Sequence, residues 1–304
     1  MLIVERKGKG AAEGAAQAIF TFCGFVAVFA AAAVMLYMLV KGLPAVFSVG
    51  IKEIFFSGVW KPTAEEPEYG ILYIILTSVL GTGVAVFLGV PIGILTAVFL
   101  AELSGGKAAA VVRTAVELLA GIPSVVYGLL GIYLLNPLMY KLERSVFAGS
   151  RTHRFTGGAN LLSAALVLAI MILPTVIHIS ETAIRAVHPA IKEASLALGA
   201  SRLQTIFRVV LPADRSGVAT AVVLGVGRAV GETMAITLVS GNSVNIPLPF
   251  HSVRFLTTAI VSEMGYSQGV HRQMLFTIGL VLFVFVMAVN SILSRILKKG
   301  TVGD

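Results

Sequence analysis

An all-α, polytopic membrane protein with six transmembrane helices is the fold class that the sequence predicts, and three observations carry it. Of 304 residues, 57% are hydrophobic and 12% charged, with a mean hydropathy of +0.93. A soluble domain of this size covers itself with far more charge. Apolar runs of about 20 residues recur, each long enough to cross a hydrocarbon core about 30 Å thick. They fall at about 18–40, 71–100, 117–139, 159–179, 216–241 and 273–294, an even number that puts both termini on one side.

The first run, 18–40, follows Arg6, Lys7 and Lys9 and is longer than the apolar region of a signal peptide, about 7–15 residues. It reads as an uncleaved first span, with cleavage near the alanines at 30–33 as the alternative. It holds the single cysteine, Cys23, so no intrachain disulfide can form. The loop at 41–70, with "GVWKPTAEEPEYG", reads as an ordered extramembrane loop with an interfacial tryptophan. Run 71–100 has no charge in 30 positions, and Pro91 within it predicts a tilt, a kink or an emerging end. Gly89 and Gly93, like Gly227 and Gly231, have the GxxxG spacing that lets helices approach closely.

Counting Lys and Arg with the N-terminus inside puts 13 on the inner side and 9 on the outer, the sign expected for cytoplasmic termini. The loop at 141–158, with four basic residues, argues the other way. The net charge of +8 does not indicate nucleic-acid binding: the basic residues sit in short loops, with no basic amphipathic stripe or aromatic-interleaved patch.

The longest inner loop, 188–217, has structure of its own. "IKEASLAL" (191–198) predicts a helix, and Gly199 suits the left-handed position after it. Ser201 and Gln204 have capping-box spacing and start a second helix. Leu203, Ile206, Phe207 and Val210 form one apolar stripe on it, and Pro212 is expected to end it. The loop is either a stable surface element or a docking element for a partner.

Within it, "EASLALGASRLQTIFRVVLP" (193–212) resembles the EAA loop of ABC-importer permeases. Glu193, Ala194, Gly199, Leu211 and Pro212 match that pattern at its spacing; Ser195 replaces the second alanine and Val209 the isoleucine. The resemblance implies that 193–199 is a coupling helix seated in a cytoplasmic ATPase subunit. "VWKPTAEEPEYGILYIILTSVLGT" (59–82), "ELLAGIPSVVYGLLGIY" (117–133) and "GRAVGETMAITLVSGN" (227–242) further resemble the permeases of phosphate ABC transporters, the first and third nearer the PstC-type subunit than its PstA-type partner. That resemblance implies a type I ABC-importer fold and a heterodimer of two similar permeases. It also implies an ATPase dimer inside, an extracytoplasmic phosphate-binding protein and a bacterial inner-membrane location. On this basis 1–17 and 295–304 are cytoplasmic tails and 18–70 is the first helix with its outside loop. Residues 71–294 are the ABC transmembrane type-1 domain, with the coupling loop at 188–215.

The residues that need explaining are Arg228 and Glu232, inside run 216–241. A charge at the bilayer centre costs from about 3 to over 10 kcal/mol, so such residues are functional by default. At about 1.5 Å per residue from Gly217, Arg228 lies about 16 Å into the run, too deep to snorkel. On one continuous helix the two share a face at i, i+4, although arginine before glutamate is the less favourable order. They are either a self-neutralising structural pair or the lining of a water-filled path in which Arg228 meets phosphate oxygens. Thr233, Thr237 and Asn242 continue the segment, and Ser124 and Tyr127 follow Pro123; each is as readily a packing hydrogen bond. His178 and His188 have no metal-ligand spacing and no metal site is expected.

No G-x-x-x-x-G-K-[ST] occurs; "SGGKAA" (104–109) lacks its glycine spacing and its Ser/Thr, so ATP and Mg belong on a partner ATPase and this chain needs no cofactor. No HExxH or GxSxG marks a membrane enzyme. The alternative to an importer permease is a secondary anion carrier or a phosphate-sensing membrane protein; the inverted repeats usual in secondary carriers are not visible.

Overall fold

The computed structural model describes residues 6–103 and 106–299. The outer parts of both expected tails, and Ser104 and Gly105 of "SGGKAA", lie outside these described residues. Helix α1 (Arg6–Val49) already begins within the first expected tail, and α14 (Gly269–Lys299) runs into the second. Between them lie α2 (Ile51–Phe56), a two-stranded hairpin of β1 (Trp60–Lys61) and β2 (Glu68–Tyr69), α3 (Leu72–Val98), α4 (Lys107–Gly121), α5 (Ser124–Leu130) and α6 (Asn136–Val146). There follow α7 (Leu161–Ala186), α8 (Pro189–Ala197), α9 (Arg202–Thr205), α10 (Leu211–Ala213), α11 (Arg215–Gly231), α12 (Met234–Val239) and α13 (Leu256–Glu263). Single π turns continue α3 over Phe99–Leu103, join α5 to α6 over Gly131–Leu135, and join α9 to α10 over Ile206–Val210.

Among the described residues, five helices are individually long and apolar enough to cross a membrane, and Arg202–Ala213 with α11, bent by 74° between them, make a sixth candidate when taken as one span. Two expected spans have different limits. The third runs over Ser124–Val146, because Pro123 holds Ile122 extended (φ −74°, ψ 125°) and separates α4 from α5. The fifth is interrupted after Gly231, and the second half of 216–241 belongs to a different helix.

The centre of the bundle is α7, packed along α3 and α11. Pro91 neither ends nor breaks α3, which winds through it to the π turn at Phe99. The 89/93 glycine pair explains how α3 and α7 approach: a Cβ on Gly89 would stand 2.7 Å from Ile172 Cδ1 and 2.9 Å from the Ala169 carbonyl oxygen, and one on Gly93 2.7 Å from Val176. α1 docks on α14 through Gly42, whose carbonyl accepts the Thr277 hydroxyl at 2.9 Å; its segment from Ile19 to Leu36 is uncovered.

The hairpin, the 147–160 loop and the 240–255 segment gather at one end of the bundle. The Leu161 and Leu162 amides donate to the His251 and Pro249 carbonyls at 3.0 Å, and Trp60 reaches α13. Trp60, the tryptophan of the expected interfacial loop, is buried within the protein, its indole N–H spent on Glu263. The α8–α10 loop lies at the opposite ends of α3 and α7.

Adding a methyl at two glycines of α3 should therefore have opposite effects. Gly89→Ala should destabilise the detergent-solubilised protein by about 1–3 kcal/mol through overpacking. Gly83→Ala, where nothing lies within 4 Å, should be neutral or stabilising by up to about 1 kcal/mol. Thermal unfolding of the two variants side by side checks this.

Candidate functional site

Helix α11 stops at Gly231, and its C-terminal residue is followed by two non-helical ones: Glu232 is extended (φ −71°, ψ 135°) and Thr233 lies at φ −129°, ψ −53°. α12 then starts at Met234. The expectation that Arg228 and Glu232 share a face of one helix is corrected by this break, and no ion pair joins them among the described residues.

The break gives each charge a favourable place. Arg228 stands in the last turn of α11, where the terminal carbonyls carry partial negative charge. Glu232 precedes α12, and its Oε1 accepts the Ala235 amide at 3.1 Å. The order that is unfavourable along a continuous helix is thus the favourable one across two helix ends. A discontinuous membrane helix also leaves backbone groups free to face a permeating ion.

Several hydroxyls tie the break together. Thr237 Oγ1 donates to the Thr233 carbonyl at 2.8 Å and Thr233 Oγ1 to the Gly231 carbonyl at 3.4 Å. Thr257 of α13 donates to the Glu232 carbonyl at 2.9 Å. α12 rests on α5, where a Cβ on Gly128 would stand 3.0 Å from the Ala235 Cα. Tyr127 is buried and donates to the Leu119 carbonyl at 2.7 Å, while Ser124 opens α5.

The Arg228 face of α11 is open on the single chain. Ala229 and Val230 are buried, whereas Gly227, Arg228 and Gly231 are exposed. A Cβ on Gly227 or Gly231 would meet nothing within 4 Å. The two GxxxG pairs, indistinguishable by spacing, are thus used differently: 89/93 seats α7, and 227/231 is left uncovered.

At the other end, α8 and Gly199 (φ +86°) take the expected conformations, and Ser201 and Gln204 form the complete capping box. Ser195 is buried and its hydroxyl lies 3.0 Å from that of Thr205, which gives the departure from alanine a role in joining α8 to α9. Only half of the expected stripe is covered. Ile206 and Val210 are buried with Ala97, Val98, Ile184 and Val187, while Leu203 and Phe207 are exposed. Pro212 does not end the helix: the π turn at Ile206–Val210 shifts the hydrogen bonding, Leu211 donates to Ile206, and the chain stays helical to Ala213. Lys192 pairs with Glu102, tying α8 to the end of α3. Glu193, Ala194 and Leu198, the last 91% exposed, face outward. His188 caps α8 by accepting the Ala190 amide.

One polar cluster escaped the sequence reasoning. Glu263 is 5% exposed and accepts from Trp60 Nε1 at 3.0 Å, His271 Nε2 at 2.8 Å and Arg254. Arg254 also donates to the Asn242 carbonyl and side-chain oxygens at 3.1 and 3.0 Å. Asn242 is a non-glycine residue with positive φ, +51°. Burial, and then the Glu263 carboxylate, raise the Tyr266 phenol above its ordinary value, against the pull of Arg254. No local spacing marks these residues, because Trp60 and Glu263 lie 203 positions apart.

A family model described as "Binding-protein-dependent transport system inner membrane component" matches residues 89–301. The chain belongs to this family. It is 36% identical over 303 residues to the "Probable ABC transporter permease protein YqgH" of Bacillus subtilis, covering 97% of this chain and 95% of that one. It is 36% identical over 248 residues to the "Phosphate transport system permease protein PstC" of Haemophilus influenzae, covering 78% of each. A "Probable phosphate transport system permease protein PstC" of Methanocaldococcus jannaschii is 30% identical over 283 residues, 87% of this chain and 89% of that one. Among solved structures, a bacterial alginate ABC transporter superposes with a TM-score of 0.64 at 17% identity, covering 94% and 96% of the two chains. The MetNI methionine transporter gives 0.57 at 21%, covering 76% and 95%. The chain has the type I ABC-importer permease fold and is an ABC transporter permease, which supports the permease reading over the secondary-carrier or sensor alternative.

Glu232 combines a cap and a charge, and two variants separate them. Glu232→Ala should lower the stability of the purified protein by about 1 kcal/mol, the usual cost of losing a side-chain cap. Glu232→Gln keeps an acceptor for Ala235 and should restore the thermal midpoint.

Proposed function

We propose that this chain is the transmembrane permease subunit of an ATP-driven importer of inorganic phosphate in a bacterial inner membrane, with both termini cytoplasmic. The substrate rests on one observation: the chain is at least 30% identical over most of its length to proteins named phosphate transport permeases in several organisms. The break at Glu232–Thr233 supports the same reading. A guanidinium at a helix end offers paired donors to a phosphate, and a carboxylate four residues on keeps that site from becoming a trap. Arg228, Glu232, Thr233 and Thr237 line the pathway in this proposal.

The open α11 face with Gly227 and Gly231 is where a second, PstA-like permease packs, so that the pathway forms between two chains. The projecting α8, with Glu193, Ala194, Ser195 and Gly199, and the segment up to Leu211 and Pro212 dock a cytoplasmic ATPase dimer that supplies ATP and Mg. Their exposed apolar residues, Leu198, Leu203 and Phe207, are what such a seat buries. A phosphate-binding protein delivers substrate at the hairpin end. ATPase closure then moves α8 and, through Ile206, Val210 and the Lys192–Glu102 pair, the ends of α3 and α7.

Arg228→Gln should assemble with its partners and abolish uptake of labelled phosphate in cells; uptake at the wild-type rate would remove Arg228 from the pathway. Leu198→Glu should lose the ATPase subunit in copurification while the second permease stays bound. Recovery of an active homodimer without an ATPase would overturn the importer reading.

A further inference from the structure

Helix α13 is eight residues long, about 12 Å at 1.5 Å per residue. Its two ends hold two different parts of the molecule. Near its start, Thr257 donates to the carbonyl of Glu232, a group that the helix break has taken out of the α11 ladder. At its last residue, Glu263 receives Trp60 of the hairpin, Arg254 of the connecting segment and His271 of α14. Thr257 and Glu263 are both less than a tenth exposed.

The exit of α12 is tied to the same helix. Asn242, three residues past Val239, donates to Ser262 Oγ at 3.0 Å and accepts from Arg254, which itself holds Glu263. α12 is therefore gripped by α13 on both sides, at the Glu232 carbonyl before it and at Asn242 after it. Among the described residues, the hairpin's hydrogen bond into this network runs from the Trp60 indole to the Glu263 carboxylate, and Trp60 and Tyr69 share a buried apolar cluster with Leu256 and Ala259 of α13. Buried hydrogen bonds to a charged group are stiff and costly to break, and a short rigid helix carries displacement between its ends.

We infer that α13 is a strut through which the hairpin at residues 57–70 positions the Glu232–Thr233 break, with Trp60, Glu263 and Thr257 as positioning residues. For its consequence this rests on the transport reading above: a binding protein that engages the hairpin end acts on the pathway through α13 rather than by direct contact. A cluster that only neutralises a buried carboxylate would hold its own surroundings together and would leave the break unaffected.

Hydrogen–deuterium exchange on the purified full-length protein tests the strut without reference to substrate. Trp60→Phe keeps an aromatic ring near Tyr69 and His271 and removes the N–H together with part of the bicyclic ring. It should speed exchange of the Ala235 and Thr237 amides by about tenfold, the effect of losing one bond to a charged group, with α7 unchanged. Changes confined to 57–70 and 263–271 would overturn the proposal. Thr257→Val, which cuts the strut at its other end, should loosen the same two amides and leave the hairpin amides as in wild type; equal exchange at the break in this variant would also overturn it. In the reconstituted transporter, each variant should keep its affinity for the binding protein and lose most of the stimulation of ATP hydrolysis that the loaded binding protein causes. The double variant should be no worse than the worse single one, and additive losses would mean separate structural roles. A wild-type transporter indifferent to phosphate would sink the substrate reading, while the exchange result would still decide the strut.

Discussion

The interruption of the helix after Gly231 is the constraint on which the rest of the site depends. Two ionisable groups within one turn of a membrane helix are costly wherever they cannot reach water. Breaking the helix between them turns the backbone into their partner: the carbonyl end of α11 suits Arg228 and the amide end of α12 suits Glu232. The break in turn needs its own support, because backbone groups removed from a helix inside a membrane must be satisfied by protein. Thr257, on a helix that comes 25 residues later, satisfies one of them.

The bundle is arranged to leave that break accessible. α7 packs on both α3 and α11, using the closely packed glycines of α3, and among the described residues nothing covers the α11 face at Gly227 and Gly231. The same α3 and α7 reach the far end, where Ile206 and Val210 are sunk between them and α8 projects. Pathway and docking loop thus share α3 and α7 as a common frame, and α11 joins them directly, with Val218 packed on the cluster that holds Ile206 and Val210.

Polar side chains cluster at the break, around Glu263, and at the ends of α3, α4 and α7 nearest α8. At the last, Glu181 accepts from Arg113 at 2.5 Å and from Arg185 at 3.0 Å. A further cluster lies on α6, where the buried Glu143 accepts from His153 Nε2 at 2.9 Å and from the Thr156 hydroxyl at 3.0 Å, and single hydroxyls such as that of Thr277 bridge neighbouring helices.

The amino-acid sequence by itself determined the class of protein, the number of apolar runs, the two-helix form of the 188–215 loop and the capping box at Ser201, since hydropathy, caps and glycine conformations act within a few residues. It also singled out Arg228 and Glu232, because charge in an apolar run is visible without a structure. Tertiary structure alone decided that the helix stops between them, that Pro91 is wound into α3, that Pro212 stays helical behind a π turn, and that Trp60 is buried on Glu263. The deciding partners are remote in sequence: Thr257 for the break, Ala97 and Ile184 packed around Ile206 and Val210 for the π turn, Glu263 for the tryptophan. A local pattern records what a segment can do, whereas a long-range hydrogen bond or a buried side chain selects among the options that the pattern leaves open.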